Sequence, residues 1–148
     1  MIVDLHLHNK TVLVIGGGIE GSRKGRGLLD QNCKIIVITN RMNRYLTSLQ
    51  MQHEISVIKS KLTDAERFLD NSEDLFLLIA ATNDRVLNRT LVDKGRQMRA
   101  FAYAADDPQY SDFSYHNFKT WLPGWYFNIR AKPNISPKDK NKRGTCFK

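Results

Sequence analysis

The fold of this chain is set by one stretch near its beginning, Lys10 to Leu29, which reads KTVLVIGGGIEGSRKGRGLL. The apolar, β-branched run from Thr11 to Ile15 has the composition of a buried strand and stops at glycine. The residues from Ser22 to Leu29 favour a helix. The glycines between strand and helix follow the spacing G-x-G-x-x-G, at Gly16, Gly18 and Gly21. A strand, this spacing and a helix together are typical of a dinucleotide-binding turn.

Each glycine of the motif has a physical task. The first permits the tight turn, the second lets the backbone approach a pyrophosphate, and the third lets the helix pack close to the strand. The unpaired N–H groups at the start of the helix then face the phosphates, and the helix dipole favours negative charge there. A glycine-rich turn that binds no ligand is the alternative interpretation.

Length and composition limit the classes of protein that remain. The 148 residues suffice for one ordinary domain with a short appendage. No apolar run approaches the roughly 18 residues of a membrane span, and the start MIVDLHLHNK lacks the features of a signal peptide. The two cysteines, Cys33 and Cys146, lie far apart and have no metal-ligand spacing. We therefore expect a cytoplasmic protein that does not bind a membrane.

The net charge of +8 is concentrated at one end of the chain. Residues 1–116 contain 15 Lys/Arg and 14 Asp/Glu, whereas residues 117–148 contain 8 Lys/Arg and a single Asp139. A nucleic-acid-binding surface on the globular part is therefore not expected. His6 and His8, two residues apart, have no constellation of Cys, Asp or Glu residues that would complete a ligand set, and we expect a half-exposed edge segment and no metal site.

The rest of the chain alternates strands with helices. Apolar runs of the kind that a strand buried on both faces requires, KIIVI and LFLLIAA, predict strands at Lys34–Ile38 and Leu75–Ala81. Further strands are predicted at 53–58 and 99–105. Helices are predicted at 41–52, at 63–69 with Thr63 as N-cap, and at 84–97. This order predicts an α/β fold with a Rossmann-like, doubly wound parallel sheet.

Polar and glycine residues follow four of these strands, where parallel sheets bind their ligands. The candidates are Gly16 to Glu20, Thr39 to Arg41, Thr82 to Asp84, and Asp106. On the first helix we expect Leu28 and Leu29 to face inward, and Arg23, Lys24 and Arg26 to face largely outward.

Four segments resemble one family, the dehydrogenase domain of siroheme synthases, or precorrin-2 dehydrogenases. They are VLVIGGGIEGSRKGRGLL, KIIVIT, LIAATNDRVLN and AADDPQYSDFSY, and they cover roughly Leu5 to Tyr115. The family oxidises precorrin-2 to sirohydrochlorin with NAD, and some members also insert ferrous iron. The resemblance therefore implies NAD as cofactor, a tetrapyrrole substrate, a homodimer and, in some members, ferrochelatase activity.

The resemblance also assigns roles to single residues. Gly16, Gly17, Gly18, Ile19 and Glu20 would hold the pyrophosphate and the adjoining ribose. Thr39, Asn40 and Arg41 would line the adenosine end, and Thr82 and Asn83 would flank the nicotinamide. Asp106 matches the aspartate on which the family's chemistry depends. Read from the residues alone, Asp106 is an aspartate that caps the turn at Pro108.

The sequence departs from the general dinucleotide-binding motif after its second strand, as this family typically does, and from the family pattern at Tyr103, where asparagine is usual, and after Phe113. No acidic residue follows the second strand, where Thr39-Asn40-Arg41 stands; NAD remains the expected cofactor, and Arg41 keeps NADP open. After Phe113, His116 replaces an expected proline and no glycine-rich loop follows. We therefore expect a domain at 1–115, and at 116–148 an irregular basic segment, either a divergent, truncated dimerisation segment or a disordered tail. A non-catalytic NAD-binding or nucleotide-sensing domain is the alternative function.

Overall fold

Five parallel strands form one sheet in the computed structural model, which describes residues 5–61, 65–70, 72 and 74–114. The strands are β1 (Thr11–Ile15), β2 (Lys34–Thr39), β3 (Ser56–Lys59), β4 (Leu75–Ala80) and β5 (Phe101–Ala104). Their order in the sheet is β3-β2-β1-β4-β5, so the chain winds outward from β1 first to one side and then to the other. This order confirms the prediction of a Rossmann-like, doubly wound sheet.

Helices cover both faces of the sheet. They are α1 (Ile19–Arg26), α2 (Arg44–Met51), α3 (Ala65–Asp70) and α4 (Arg85–Gln97). Val12 and Val14 of β1 share a core with Leu46 and Leu49 of α2. The alternate residues of β1, including Leu13, join a second core that contains Leu69 of α3 and Leu91 of α4. Because both faces are covered, the strands need the continuous apolar runs seen in the sequence.

Side-chain caps explain where two of the helices begin. The Asn43 carboxamide oxygen accepts a hydrogen bond from the Leu46 N–H at 2.8 Å, so α2 begins at Arg44 and not at the predicted residue 41. The Asp84 carboxylate accepts from the N–H groups of Val86 and Leu87 and caps α4. The proposed cap of α3, Thr63, lies outside the described residues.

Lys24 corrects one expectation, because its side chain is buried and does not face outward. The residue is 4% exposed, and its ammonium group lies 4.8 Å above the ring of Tyr103. Helical spacing explains the burial, since Lys24 shares a face with Gly21 and Leu28, which are also buried. Burial, and secondarily the charge of Arg23, lower the pKa of Lys24.

The segment after β5 covers the outer edge of the sheet. The Ala104 N–H donates to the Ser111 hydroxyl at 2.9 Å, and the Ala102 N–H donates to the Asp112 carboxylate at 2.9 Å. Arg96 of α4 also donates to Asp112, at 2.8 Å. An edge strand exposes unpaired backbone groups, and these two side chains satisfy them.

In the described part of the chain, no helix has both the length and the apolar character needed to cross a bilayer.

Two glycines of the loop after β1 differ in whether the structure tolerates a side chain there, and this difference gives a prediction about stability. Gly16 has φ +110°, and a Cβ there would lie 2.6 Å from the carbonyl carbon of Ala81. Gly18 has φ −70°, and a Cβ there would meet no atom within 4 Å. We expect Gly16→Ala to lower the free energy of unfolding by about 2–4 kcal/mol, through backbone strain and overpacking.

Gly18→Ala is the matched control and should stay within about 1 kcal/mol of wild type. Urea denaturation followed by circular dichroism measures both values. Equal stability of the two variants would contradict the structural role given to Gly16.

Candidate functional site

A cleft of about 1000 Å³ opens at the carboxyl ends of β1, β2 and β4. Three loops line it: the glycine loop after β1, the turn after β2 and the turn after β4. The described lining includes nine of the ten predicted cofactor residues, namely Gly16, Gly17, Gly18, Ile19, Thr39, Asn40, Arg41, Thr82 and Asn83. It does not include Glu20, whose carboxylate pairs with Arg23 at 2.7 Å, nor Asp106.

The glycine loop leaves open space at the start of α1. The Gly16 N–H donates to the Ile38 carbonyl at 2.8 Å, which fixes the turn against β2. Gly18 is the N-cap of α1 and provides no side-chain cap for its first turn. Those first N–H groups have no acceptor within the helix, and the space beside Gly18 is open. A pyrophosphate would occupy this space and accept these hydrogen bonds.

The turn after β2 is held by two polar side chains. Thr39 is 2% exposed, and its hydroxyl donates to the Arg41 carbonyl at 2.9 Å and accepts from the Arg41 N–H at 3.2 Å. The Asn43 amide donates to the Gly17 carbonyl at 2.9 Å and to the Ser22 hydroxyl at 3.0 Å. Thr39 therefore shapes the turn, and Asn43 joins the turn to the glycine loop.

Sequence analysis missed Asn43. An asparagine just before a helical segment is a recognisable N-cap, and that signal was available in the sequence. Its second contact, with the carbonyl of Gly17, joins residues 26 positions apart and has no local signature.

The turn after β4 is linked to the end of β5 through Asn88. The Asn88 carboxamide oxygen accepts from the Thr82 N–H at 3.0 Å and from the Thr82 hydroxyl at 2.6 Å. Its NH₂ group donates to the Thr82 carbonyl at 3.1 Å and to the Asp106 carboxylate at 2.7 Å. The cleft residue Thr82 and the predicted catalytic residue Asp106 are therefore one side chain apart.

The two neighbouring aspartates after β5 have different surroundings. Asp106 is exposed, and the hydrogen bond that the structure shows for its carboxylate is the one from Asn88. Asp107 is 8% exposed, and its carboxylate accepts from Arg89 at 2.6 Å and from Arg85 at 3.0 Å. Hydrogen bonds from Arg89 and, to a smaller extent, from Arg85 lower the pKa of Asp107. Asp107 is thus a structural anchor, while Asp106 presents its charge at the surface.

The lowered pKa of Asp107 gives a pH prediction. A carboxylate whose pKa is lower in the folded state stabilises the fold above its ordinary pKa, about 3.9, and loses that contribution as the pH falls. We expect the melting temperature of the wild type to drop more steeply on acidification below about pH 5 than that of Asp107→Asn. Thermal denaturation across acidic pH measures both slopes, and parallel slopes would contradict the account.

The predicted absence of a metal site concerns His6 and His8, both of which are exposed. Within residues 5–61, 65–70, 72 and 74–114, no three His, Cys, Asp or Glu side chains lie together as a metal site would need.

Fold and cleft define a Rossmann-type, dinucleotide-binding class of domain. The chain belongs to the family described as "Putative NAD(P)-binding", which matches residues 3–116. It is similar to the siroheme synthase of Neisseria meningitidis serogroup C (strain 053442), with 32% identity over 109 residues that make up 73% of this chain and 22% of the relative. The siroheme synthase of Tolumonas auensis (strain DSM 9187 / NBRC 110442 / TA 4) is 34% identical over 107 residues, 72% of this chain and 21% of the relative. These matches confirm the resemblance to the siroheme synthase family.

Solved structures support the fold. The structure titled "SirC, precorrin-2 dehydrogenase" superposes with a TM-score of 0.58 at 20% identity, over 96% of this chain and 64% of that one. A crystal structure of a mutant form of NMRA gives a TM-score of 0.52 at 14% identity, over 65% of this chain and 33% of that one. The chain spans about a fifth of the length of the curated siroheme synthases that it matches.

Proposed function

We propose that this chain is an NAD-dependent dehydrogenase that oxidises precorrin-2 to sirohydrochlorin. The family and the siroheme synthase relatives support a nicotinamide cofactor and a place in siroheme synthesis. The observation that carries the proposal is the junction of two features at one edge of the sheet. An open glycine loop of the kind that holds a diphosphate lines the same cleft as Thr82, and Asn88 links Thr82 to an exposed carboxylate at Asp106.

The cleft would hold NAD along its length. The backbone of Gly17, Gly18 and Ile19 would hold the pyrophosphate, and the turn from Thr39 to Arg41 would hold the adenosine end. Thr82 and Asn83 would flank the nicotinamide. Bound NAD supplies the acceptor for a hydride from the substrate, and the protein orients it.

Asp106 would take the proton that leaves with the hydride. Asn88 donates to one of its carboxylate oxygens, Oδ1, so Oδ2 would be the oxygen that takes the proton. Removal of one hydride and one proton would account for a two-electron oxidation of the macrocycle, and Asp106 would take the proton. A base acts only within hydrogen-bond reach of the proton, and the exposure of Asp106 allows the substrate to approach.

Arginines beside Asp106 supply charge for a substrate with several carboxylates. The side chains of Arg85 and Arg89 remain 64% and 47% exposed although both pair with Asp107. Their outward N–H groups can form charge-assisted hydrogen bonds with the carboxylates of precorrin-2. These cations would orient the macrocycle over Asp106.

The test mixes the full chain with precorrin-2 and either NAD or NADP. The proposal expects the absorbance of reduced nicotinamide to rise in step with formation of sirohydrochlorin, with NAD as the preferred cofactor. Cofactor binding in a calorimeter without any reduction would contradict the dehydrogenase and support the alternative, a non-catalytic nucleotide-binding domain.

A further inference from the structure

Asn88 is a buried amide side chain whose hydrogen-bonding capacity is fully used. It is 0% exposed, yet every hydrogen-bonding position of its carboxamide is used: the oxygen accepts twice from Thr82, and the NH₂ group donates to the Thr82 carbonyl and to Asp106. No water is needed to satisfy it. The amide cannot change partners without leaving a buried polar group unsatisfied, which is costly.

The oxygen and nitrogen of a carboxamide are fixed in one plane. The oxygen binds Thr82, and the NH₂ group binds both the Thr82 carbonyl and Asp106, so a shift of Thr82 moves the group that donates to Asp106. Thr82 lines the cleft, whereas Asp106 does not. A ligand that shifts Thr82 would change the hydrogen bond that Asp106 receives, although it does not touch Asp106.

We propose that Asn88 is a positioning residue that couples occupation of the cleft at Thr82 to the placement of the Asp106 carboxylate. The inference rests on the proposed function, because it takes the occupant to be the nicotinamide end of NAD. Asn88 already holds Asp106 in this structure, and binding of the cofactor would adjust that placement through Thr82. Asn88 itself would touch neither substrate nor cofactor.

The decisive variant is Asn88→Asp, tested in the full chain. A carboxylate at position 88 keeps an oxygen for the N–H and hydroxyl of Thr82, but it has no N–H to donate to Asp106 or to the Thr82 carbonyl. Carbon NMR of the Asp106 carboxyl group during a titration with NAD provides a readout that does not depend on turnover. In the wild type we expect this signal to shift as NAD saturates the cleft. In Asn88→Asp we expect NAD to bind while the shift is lost.

A kinetic measurement separates positioning from a structural role. A misplaced base should lower kcat about 10²-fold with little change in the KM for NAD. If Asn88 had only a structural role, its substitution would disturb the Thr82 turn and raise the KM for NAD. Thr90→Val is the matched control on α4, because the Thr90 hydroxyl is exposed and donates to the Val86 carbonyl of the same helix. This control should respond to NAD as the wild type does.

Thr82→Val provides a second variant if Asn88→Asp does not fold. It removes the hydroxyl that donates to Asn88 and introduces no buried charge, so we expect a weakened Asp106 shift at saturating NAD. An Asp106 signal that follows NAD equally in the wild type and in the folded variant would overturn the coupling. So would a signal that stays still in the wild type while NAD binds. A wild-type chain that binds no NAD would instead contradict the proposed function and remove this inference with it.

Discussion

An Asp106→Asn variant is expected to oxidise precorrin-2 about 10²–10⁴-fold more slowly than the wild type, because an amide cannot take a proton from the substrate. Its binding of NAD should be nearly unchanged, since Asp106 does not line the cleft. The substituted carboxamide still has an oxygen to accept the hydrogen bond from Asn88, so the local geometry should survive. Steady-state turnover and calorimetric titration with NAD measure the two quantities separately.

Asp107→Asn is the matched control, because it removes one charge at the neighbouring position. Asp107 faces Arg85 and Arg89, so its substitution should lower stability far more than turnover measured on the folded protein. Equal losses of turnover in the two variants would indicate a general electrostatic or folding effect. A loss confined to Asp107→Asn would mean that the catalytic aspartate has been wrongly chosen.

Gly18→Asp is expected to abolish measurable binding of NAD. The new carboxylate would stand at the N-cap of α1, in the open space assigned to the pyrophosphate. Like charges about 4 Å apart repel by about 4 kcal/mol at an effective dielectric constant of about 20, which is about 10³ in affinity. The fold should be retained, since no atom lies within 4 Å of the added Cβ and aspartate is a favourable N-cap.

Gly18→Ala separates the effect of charge from that of volume. It adds the same Cβ without a carboxylate, so its affinity for NAD should fall far less than that of Gly18→Asp. Circular dichroism should show wild-type helix content in both variants. Unchanged affinity in a folded Gly18→Asp would remove the dinucleotide site from the catalytic and the non-catalytic interpretation alike.

The elements that sequence predicted well were those with a strong local signal. The runs KIIVI and LFLLIAA match β2 and β4 closely, because strands covered on both faces need unbroken apolar stretches. Helix starts were less accurate: α1 begins at Ile19, three residues before the prediction, where the glycine loop already turns into the helix. The charge of Lys24 favours an outward side chain, but its position in the helix places it on the buried face of α1.

The candidate site was predictable where it follows the strand ends and hidden where it depends on distant contacts. The cleft contains the predicted residues of the three loops because the carboxyl ends of parallel strands lie on the same side of the sheet. The contact of Asn43 with Gly17 and that of Asn88 with Asp106 join separate turns, and only the folded chain brings them together. The role of Ser111 and Asp112 at the edge of β5 was equally invisible, since it depends on which strand is outermost.

A crystal structure of the chain soaked with NAD tests the central claim most directly. We predict the pyrophosphate beside Gly18 at the first turn of α1, the adenosine near Arg41, and the nicotinamide beside Thr82 with its ring toward the Asp106 side. Electron density for NAD elsewhere on the protein, or an empty cleft at a concentration that saturates binding in solution, would contradict the account.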